Sequence, residues 1–270
     1  MKKILSLLFL LTSIQLGALA QTEKKINEVL KLQITEEGGA NGATVMWHPV
    51  LKRYYCPMAG NVSFPFQVFD AKGKLISPKE QTTFFDVRGM WYNPKTKKIY
   101  SNGYNDFGWA EYVLNAKGFP TEVKVIQEGL HQPDQHSVAA YDAVKNIVYF
   151  YNKGKIYHYD PATGTATDEI IKLTVNSNTQ EKDSLDFEME EDLYNYNTTT
   201  VVYTGVKGQE FGLLNTLNNS IDLFDKVTGK IQGKLLLPEN APLNESFNFA
   251  YANGMYWLFN KDTRIWTAYK

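Results

Sequence analysis

Carboxylates are concentrated at residues 183–192, where six of ten residues are Asp or Glu. Within this segment acidic and apolar residues alternate: Asp186, Glu188 and Glu190 with Leu185, Phe187 and Met189. On a β-strand this alternation places three carboxylates on one face and three apolar groups on the other. Such a face beside a channel would bind a cation or act as an acid or base, whereas the alternative is a solvated acidic loop.

Four more charged or titratable side chains stand just before segments with the composition of β-strands. Asp86 and Arg88 precede one segment, and Asp134 and His136 precede the next. If such strands surround a common axis, the loops at their starts meet at one mouth of a channel. The predicted ligand-binding residues at that mouth are Asp86, Arg88, Asp134, His136, Glu188 and Glu190. The donor fork of Arg88 would orient a polyhydroxylated ligand there, although polar residues before strands are also ordinary surface features.

No familiar catalytic or metal-binding motif accompanies these residues. The chain has no Gly-rich phosphate loop, no His-Glu-x-x-His, no Gly-x-Ser-x-Gly and no Asp-rich calcium loop. Its four histidines lack the spacing of a zinc site. Cys56, the one cysteine, lies in a strand-like segment and is predicted to be a small buried apolar residue. We predict no cofactor, with a divalent cation as the possible exception.

The first 20 residues have the layout of a cleaved secretory signal. Lys2 and Lys3 precede an apolar run, and Ala18 and Ala20 stand where a signal peptidase recognises small residues. A retained membrane anchor is the alternative. Cleavage would leave a mature chain from Gln21 in the periplasm or outside the cell, without membrane insertion. That chain carries 26 basic and 29 acidic residues, a balance that argues against nucleic acid as a partner.

The elements that position these residues are short strands in a repeat. Asp70, Asn115 and Asp160 are each followed by a turn with Gly and are spaced 45 residues apart, and Asp225 begins a further copy. Aromatic residues preceding a turn form a second repeated motif, in which Trp47, Trp91 and Tyr141 are predicted to be equivalent packing residues. A strand–turn unit of about 40–45 residues in tandem is typical of a β-propeller blade.

The fold predicted for residues 21–270 is therefore all-β and a single domain, a β-propeller with five four-stranded blades. Inner strands are expected around Trp47, Trp91, Tyr141, Tyr196 and Tyr251. The last unit is one strand short, and residues 28–34 alternate as a half-buried strand does, so this N-terminal strand is expected to close the ring. Six blades and a two-sheet β-sandwich are the alternatives.

The turns at 160–164 and 225–230 resemble those of bacterial β-propeller repeats of the quinoprotein-like and surface-layer kinds. The resemblance is confined to turn motifs and implies the propeller fold. The quinoprotein pattern places a Trp soon after the Gly-Lys pair, where this chain has Ile76, Ile170 and Leu235. A quinone cofactor is therefore not implied.

Two functions agree with these features. The first is an exported propeller that binds a small molecule, a saccharide or a protein outside the cytoplasm, for which the fold suffices. The second is a hydrolase or lyase that uses carboxylates or a metal in the central channel on a saccharide or lactone. Glycoside hydrolysis requires two carboxyl groups about 5–10 Å apart across the scissile bond. Trp109, Trp257 and Trp266 lie outside the repeat register and are expected in the core, with a sugar-stacking surface as the alternative.

Overall fold

A computed structural model describes residues 22–175 and 191–270. It consists of five small sheets in a ring, a five-bladed β-propeller. Two N-terminal strands precede the blades: β1 (Thr22–Lys25) and β2 (Glu28–Gln33). Within the described ranges, no helix has the length and apolar character needed to cross a membrane.

Each blade is a run of neighbouring antiparallel strands. Blade 1 contains β3 (Asn41–Gly42), β4 (Met46–His48), β5 (Arg53–Ala59) and β6 (Phe66–Asp70). Blade 2 contains β7 (Val87–Asn93), β8 (Lys98–Gly103), β9 (Trp109–Leu114) and β10 (Pro120–Gln127). Blade 3 contains β11 (Ala140–Asp142), β12 (Ile147–Asn152), β13 (Lys155–Asp160) and β14 (Thr165–Lys172). Short 3-10 helices occur at Asn105–Phe107 and Glu191–Asn195.

The last two blades incorporate the N-terminal strands. Blade 4 contains β15 (Val202–Tyr203), β16 (Phe211–Asn215), β17 (Ser220–Phe224) and β18 (Ile231–Leu236), and β1 pairs in parallel with β18. Blade 5 contains β19 (Phe249–Ala252), β20 (Met255–Asn260) and β21 (Ile265–Tyr269). Its outer strand is β2, which pairs antiparallel with β21 from Glu28↔Tyr269 to Gln33↔Ile265. The predicted closure of the ring by the N-terminal strand is confirmed.

The repeated Asp and Gly residues form turns between the third strand of a blade and the outer segment that follows it. In blade 1, Asp70 Oδ1 accepts the backbone N–H groups of Lys72 and Lys74, at 2.8 and 3.0 Å. Gly73 in the same turn has a φ of 83°, a conformation that side-chain-bearing residues rarely adopt. Asn115, Asp160 and Asp225 accept backbone N–H groups in the same way. In blade 1 the outer segment pairs through the isolated bridges Phe69↔Leu75 and Pro65↔Thr82.

One inner strand differs from its prediction. The inner strand of blade 4 is β15, and Tyr196 instead follows a 3-10 helix. Tyr196 is buried, and its hydroxyl donates to Asp222 Oδ2 at 2.5 Å, which binds the segment to blade 4. The prediction of an inner strand around Tyr196 is therefore wrong in position, because Tyr196 forms an isolated bridge with Asn215 of β16 and packs in the core, whereas the inner strand is β15.

Apolar clusters fill the interface between each blade and the next. Trp109, Trp257 and Trp266 are fully buried in them, which confirms their expected place in the core. Cys56 is also fully buried, and burial raises the pKa of its thiol well above the ordinary value. This cysteine is a packing residue, as predicted.

Candidate functional site

One half-buried aromatic side chain from each blade lies at the C-terminal ends of the inner strands. We call this set the aromatic collar; it consists of Trp47, Tyr92, Tyr141, Tyr203 and Tyr251. Each member packs into the apolar cluster between its own blade and the preceding one. The collar therefore has the approximate fivefold symmetry of the propeller.

The collar corrects the predicted equivalence of Trp47 and Trp91. The four-residue turns after the inner strands of blades 1 and 2 begin after His48 and Asn93, which pair with Arg53 and Lys98. Counted from these turns, Trp47 is equivalent to Tyr92. Trp91 is one residue earlier and so points to the opposite face, where it packs edge-on against Trp109 with ring centres 5.3 Å apart.

The collar surrounds a central pocket of about 310 Å³. Its wall comes from all five inner strands and their turns, at residues 44–47, 49, 90–92, 94, 138–141, 143, 200–203 and 249–253. Among the described residues that form this wall, none is an Asp, Glu, His, Cys, Lys or Arg. Its polar groups are hydroxyls, the indole N–H groups of Trp47 and Trp91, the Asn253 amide and backbone, so the pocket offers aromatic surface and neutral hydrogen-bonding groups.

Contacts behind the pocket wall hold the collar side chains in place. The Tyr92 ring packs on His48 of blade 1, with ring centres 4.4 Å apart. The Tyr203 hydroxyl donates to Asp142 Oδ2 of blade 3 at 2.7 Å, and the Tyr141 hydroxyl donates to Asn146 Oδ1 at 2.8 Å. Burial is the main cause that raises the pKa of Tyr141 to about 12 and raises that of Tyr203 further. Tyr141 and Tyr203 are thus neutral, and both of their hydroxyls are already engaged in hydrogen bonds.

Three of the predicted site residues, Asp86, Arg88 and His136, lie together at the N-terminal ends of the inner strands. Arg88 Nη1 donates to Asp86 Oδ1 at 2.6 Å, and both side chains are buried. The Arg88 guanidinium lies 4.6 Å from the Tyr104 ring centre and 5.4 Å from that of Phe247. The His136 ring lies beside the same two aromatic rings. This cluster joins blades 2, 3 and 5, and none of its members forms the wall of the central pocket.

The other predicted residues have different positions. Asp134 is exposed, and its Oδ1 accepts the backbone N–H of His136 at 2.8 Å. Glu188 and Glu190 lie outside the described residues. Within residues 22–175 and 191–270, no group of three His, Cys, Asp or Glu side chains is arranged to hold a metal ion.

The Asp86–Arg88 pair is largely committed to the protein itself. Asp86 Oδ1 also accepts the backbone N–H of Gly60 in blade 1, and Arg88 Nη1 also donates to the Val87 carbonyl. Burial is the largest influence on Arg88 and lowers its pKa, against the opposing effect of Asp86. Arg88 Nε and His136 Nδ1 are buried without a hydrogen-bond partner. The chief contribution of the cluster is therefore a charged connection between blades.

The collar tyrosines are absent from the predicted site, although the sequence contains a signal for them. An aromatic residue stands immediately before the first residue of the turn motif in three blades, as in Trp47-His48, Tyr92-Asn93 and Tyr141-Asp142. The extra residue in Met90-Trp91-Tyr92 favoured the wrong alignment. Tyr203 and Tyr251 precede turns of other sequence and carry no such signal.

Comparison with known proteins supports the fold. The structure of glutaminyl cyclase from Myxococcus xanthus is similar with a TM-score of 0.56 and 7% identity, over 93% of this chain and 97% of that one. A Bacteroides thetaiotaomicron protein of unknown function has a TM-score of 0.47 at 12% identity, over 84% and 58% of the two chains. Streptogramin B lyase has a TM-score of 0.40 at 12% identity, over 86% and 65%.

No family model and no curated protein sequence matches the chain. Glutaminyl cyclase has a β-propeller-like fold. At 7% identity the likeness to the cyclase shows the architecture and no activity. The chemistry of the site therefore has to be argued from its own residues.

Proposed function

We propose that this protein is an exported binding propeller whose central pocket holds a small ring-shaped ligand against the aromatic collar. The observation that carries the proposal is the convergence of one half-buried aromatic side chain from every blade on one pocket. Aromatic rings provide large, rigid apolar surfaces. Their faces carry partial negative charge and attract the partially positive hydrogens of C–H groups. A pocket of about 310 Å³ is at the lower end of the range for small-molecule sites, about 300–1,000 Å³.

The composition of the pocket wall favours binding over acid–base catalysis. A hydrolase or lyase needs a positioned acid, base, nucleophile or metal at the reacting atoms. The part of the wall that the structure describes contains no Asp, Glu, His, Cys, Lys or Arg, and the hydroxyls of two of its tyrosines, Tyr141 and Tyr203, are engaged in hydrogen bonds. Asp86 and His136, which belong to the other end of the inner strands, do not form part of it.

Export is the second part of the proposal and rests on residues 1–20. Cleavage after Ala20 would release a chain that begins at Gln21. Intact-mass measurement of the protein recovered from outside the cytoplasm tests this. A mass that includes residues 1–20 would contradict it.

Trp47 provides a direct probe of ligand binding. It is half-buried in the collar, whereas Trp91, Trp109, Trp257 and Trp266 are at most 4% exposed. A ligand that enters the collar should therefore change the emission of Trp47 most, although Trp91 also forms part of the pocket wall. We would titrate the protein with glucose, galactose, glucuronate, benzamide and benzoate while following tryptophan fluorescence.

Two collar variants and one control complete the experiment. Tyr92→Leu and Tyr251→Leu remove aromatic surface but keep apolar volume, so each should weaken binding about tenfold, in line with the ~1–3 kcal/mol observed for stacking on an aromatic side chain. Tyr194→Leu is the control, because Tyr194 is 64% exposed and lies outside the pocket. If no probe alters Trp47 emission, or if all three variants bind equally, the collar is not a binding site.

A further inference from the structure

A second concavity adjoins the central pocket between blades 3 and 4. This groove has a volume of about 450 Å³ and includes Asp142, Lys145, Thr204 and Lys226 in its wall. Three residues, Tyr141, Ala143 and Tyr203, form part of the wall of both cavities. A ligand that rests on the collar therefore has an adjoining space for a substituent.

The two cavities differ in charge. The central pocket is neutral in its described wall, whereas the groove contains two lysines and one carboxylate. That carboxylate, Asp142, is buried and already has its partners. Its Oδ1 accepts the backbone N–H groups of Val144 and Lys145, at 2.9 and 3.0 Å, and its Oδ2 accepts the Tyr203 hydroxyl. Although burial alone would raise the pKa of Asp142, these hydrogen bonds keep it below its ordinary value.

Lys226 retains most of its capacity to bind an anion. Its ammonium group has three donors, and one of them is engaged in a salt bridge with Asp142 Oδ2 at 3.5 Å. The same Nζ lies 5.6 Å from the ring centre of Tyr203, a member of the collar. The side chain is 26% exposed, so it is accessible from the groove. The charged group is thus held beside the ring that separates the two cavities.

We propose that the ligand of the central pocket is a six-membered ring bearing a carboxylate, with the ring on the collar and the carboxylate bound by Lys226 in the groove. This inference rests on the proposed binding function and specifies its ligand class. Both a sugar acid and an aromatic carboxylic acid have the required chemistry. The neutral wall accommodates the ring, and the groove supplies the Lys226 ammonium donors that Asp142 does not engage.

Matched acid and neutral probes test the inference. Glucuronate is compared with glucose, and benzoate with benzamide, by titration of Trp47 fluorescence. We expect at least one acid to bind about tenfold more tightly than its neutral partner, since hydrogen bonds to charged groups are the stronger ones. Preference for glucuronate identifies a sugar acid, and preference for benzoate identifies an aromatic acid.

Three lysine variants connect the preference to one side chain. Lys226→Gln should remove the preference for the acid by weakening acid binding more than binding of the neutral probe, and Lys226→Arg should retain the preference. Lys261→Gln is the control, because Lys261 is exposed and lies outside both cavities. Thermal melting of each variant verifies that it is folded.

The outcomes separate the two proposals. If acid and neutral probes bind equally well to the parent protein, the acidic ligand is wrong but the binding pocket stands. If the acid is preferred and Lys226→Gln leaves that preference intact, the role of Lys226 is wrong. If neither these four probes nor galactose perturbs Trp47, both the pocket and its ligand class are wrong.

Discussion

Three fully buried asparagines connect neighbouring blades near the N-terminal ends of the inner strands: Asn102, Asn197 and Asn248. Asn248 Oδ1 accepts the Gly42 N–H between blades 5 and 1, at 2.9 Å. Asn197 Nδ2 donates to the Phe247 carbonyl between blades 4 and 5, at 2.8 Å. These amides satisfy backbone groups that the short inner strands leave unpaired, which is the condition for burying them.

Asn102 allows a test of these connections. Its Oδ1 accepts the N–H groups of Gly89 and Ala139, and its Nδ2 donates to Gln132 Oε1 and the Ser137 carbonyl. Asn102→Leu has a similar volume but would leave three buried backbone groups without this partner, at ~1–3 kcal/mol each. Urea unfolding should show a loss of about 3 kcal/mol or more. The exposed Asn218→Leu is the control, and an equal loss there would contradict the assigned role.

His48 makes stability depend on pH. Burial is the largest cause that lowers its pKa below 6.5, and its Nδ1 accepts the Leu51 N–H at 3.2 Å, which a protonated nitrogen could not do. The unfolded chain therefore takes up a proton at a higher pH than the folded protein does. The stability contributed by neutral His48 is complete above about pH 6.5 and is lost as the pH falls below it.

Replacement by the residue that occupies the same position in blade 2 isolates this effect. Asn93 Oδ1 accepts backbone N–H groups of its turn, so His48→Asn should preserve the turn and remove the titration. Between pH 7 and pH 5 the melting temperature of the variant should fall less than that of the parent. Identical slopes would show that His48 does not contribute to the pH dependence.

For single residues, the sequence predicts hydrogen bonds to neighbours along the chain but not those to distant residues. The turn residues Asp70 and Asp160 were predictable because each acts on backbone groups within four residues. Asn102 was not, because its partners lie 13 to 37 residues away. The sequence predicted that Asp86, Arg88 and His136 lie close together, although they are not part of the central pocket. The positions of Tyr92 and Tyr203 in that pocket could be recognised only once the register of the blades was known.

Among the elements, β2 combines exposed and buried positions. Leu32 is fully buried in the cluster between blades 5 and 1, whereas Val29 on the same strand is 52% exposed. Leu32→Ala should therefore destabilise the protein by about 2–5 kcal/mol, the usual cost of an emptied core position. Val29→Ala should change stability by less than about 0.5 kcal/mol. Comparable losses in urea unfolding would indicate that β2 is not packed in this register.

The elements that formed as predicted are those whose boundaries are marked by their own residues. Gly73 and Gly164 each end a turn and begin the segment that follows, so the outer parts of the blades were evident. The inner strand of blade 4 was not, because β15 has two residues and lacks the turn motif of blades 1 to 3. Tyr196, with its strand-like neighbours, resembled an inner strand more closely.

For the whole molecule, closure of the ring depends on one blade that is built from both ends of the chain. Blade 5 takes β19 to β21 from the end of the chain and β2 from its beginning. The ladder continues beyond the strand, because Asn27 and Lys270 exchange backbone hydrogen bonds of 3.1 and 3.0 Å. Opening the ring at this blade requires breaking a β-ladder as well as an apolar interface. The single-strand deficit of the last unit made this closure predictable.

Two circular permutants test whether the shared strand stabilises the ring. Both join Lys270 to Thr22 by a flexible Gly/Ser linker. With new ends between Gly129 and Leu130, the permuted chain begins with the whole of blade 3 and ends with the whole of blade 2. No strand from one end of this chain pairs with the other end. New ends between Ala162 and Thr163 lie in the exposed turn between β13 and β14, so β14 begins the chain and pairs with β13 at its end. The second permutant thus retains the type of closure seen in the parent.

Both permutants should fold, because each retains the apolar clusters between blades. The permutant opened at Gly129 should have the lower free energy of unfolding, because only side-chain packing and loops join its first and last blades. These two blades can then separate by local unfolding at the chain ends. A difference of ~2–3 kcal/mol corresponds to about 4–12 °C in melting temperature for a domain of this size. The permutant opened at Ala162 should melt closer to the parent protein. If the order of the two melting temperatures is reversed, the interfaces between blades hold the ring closed and the shared strand adds nothing to them.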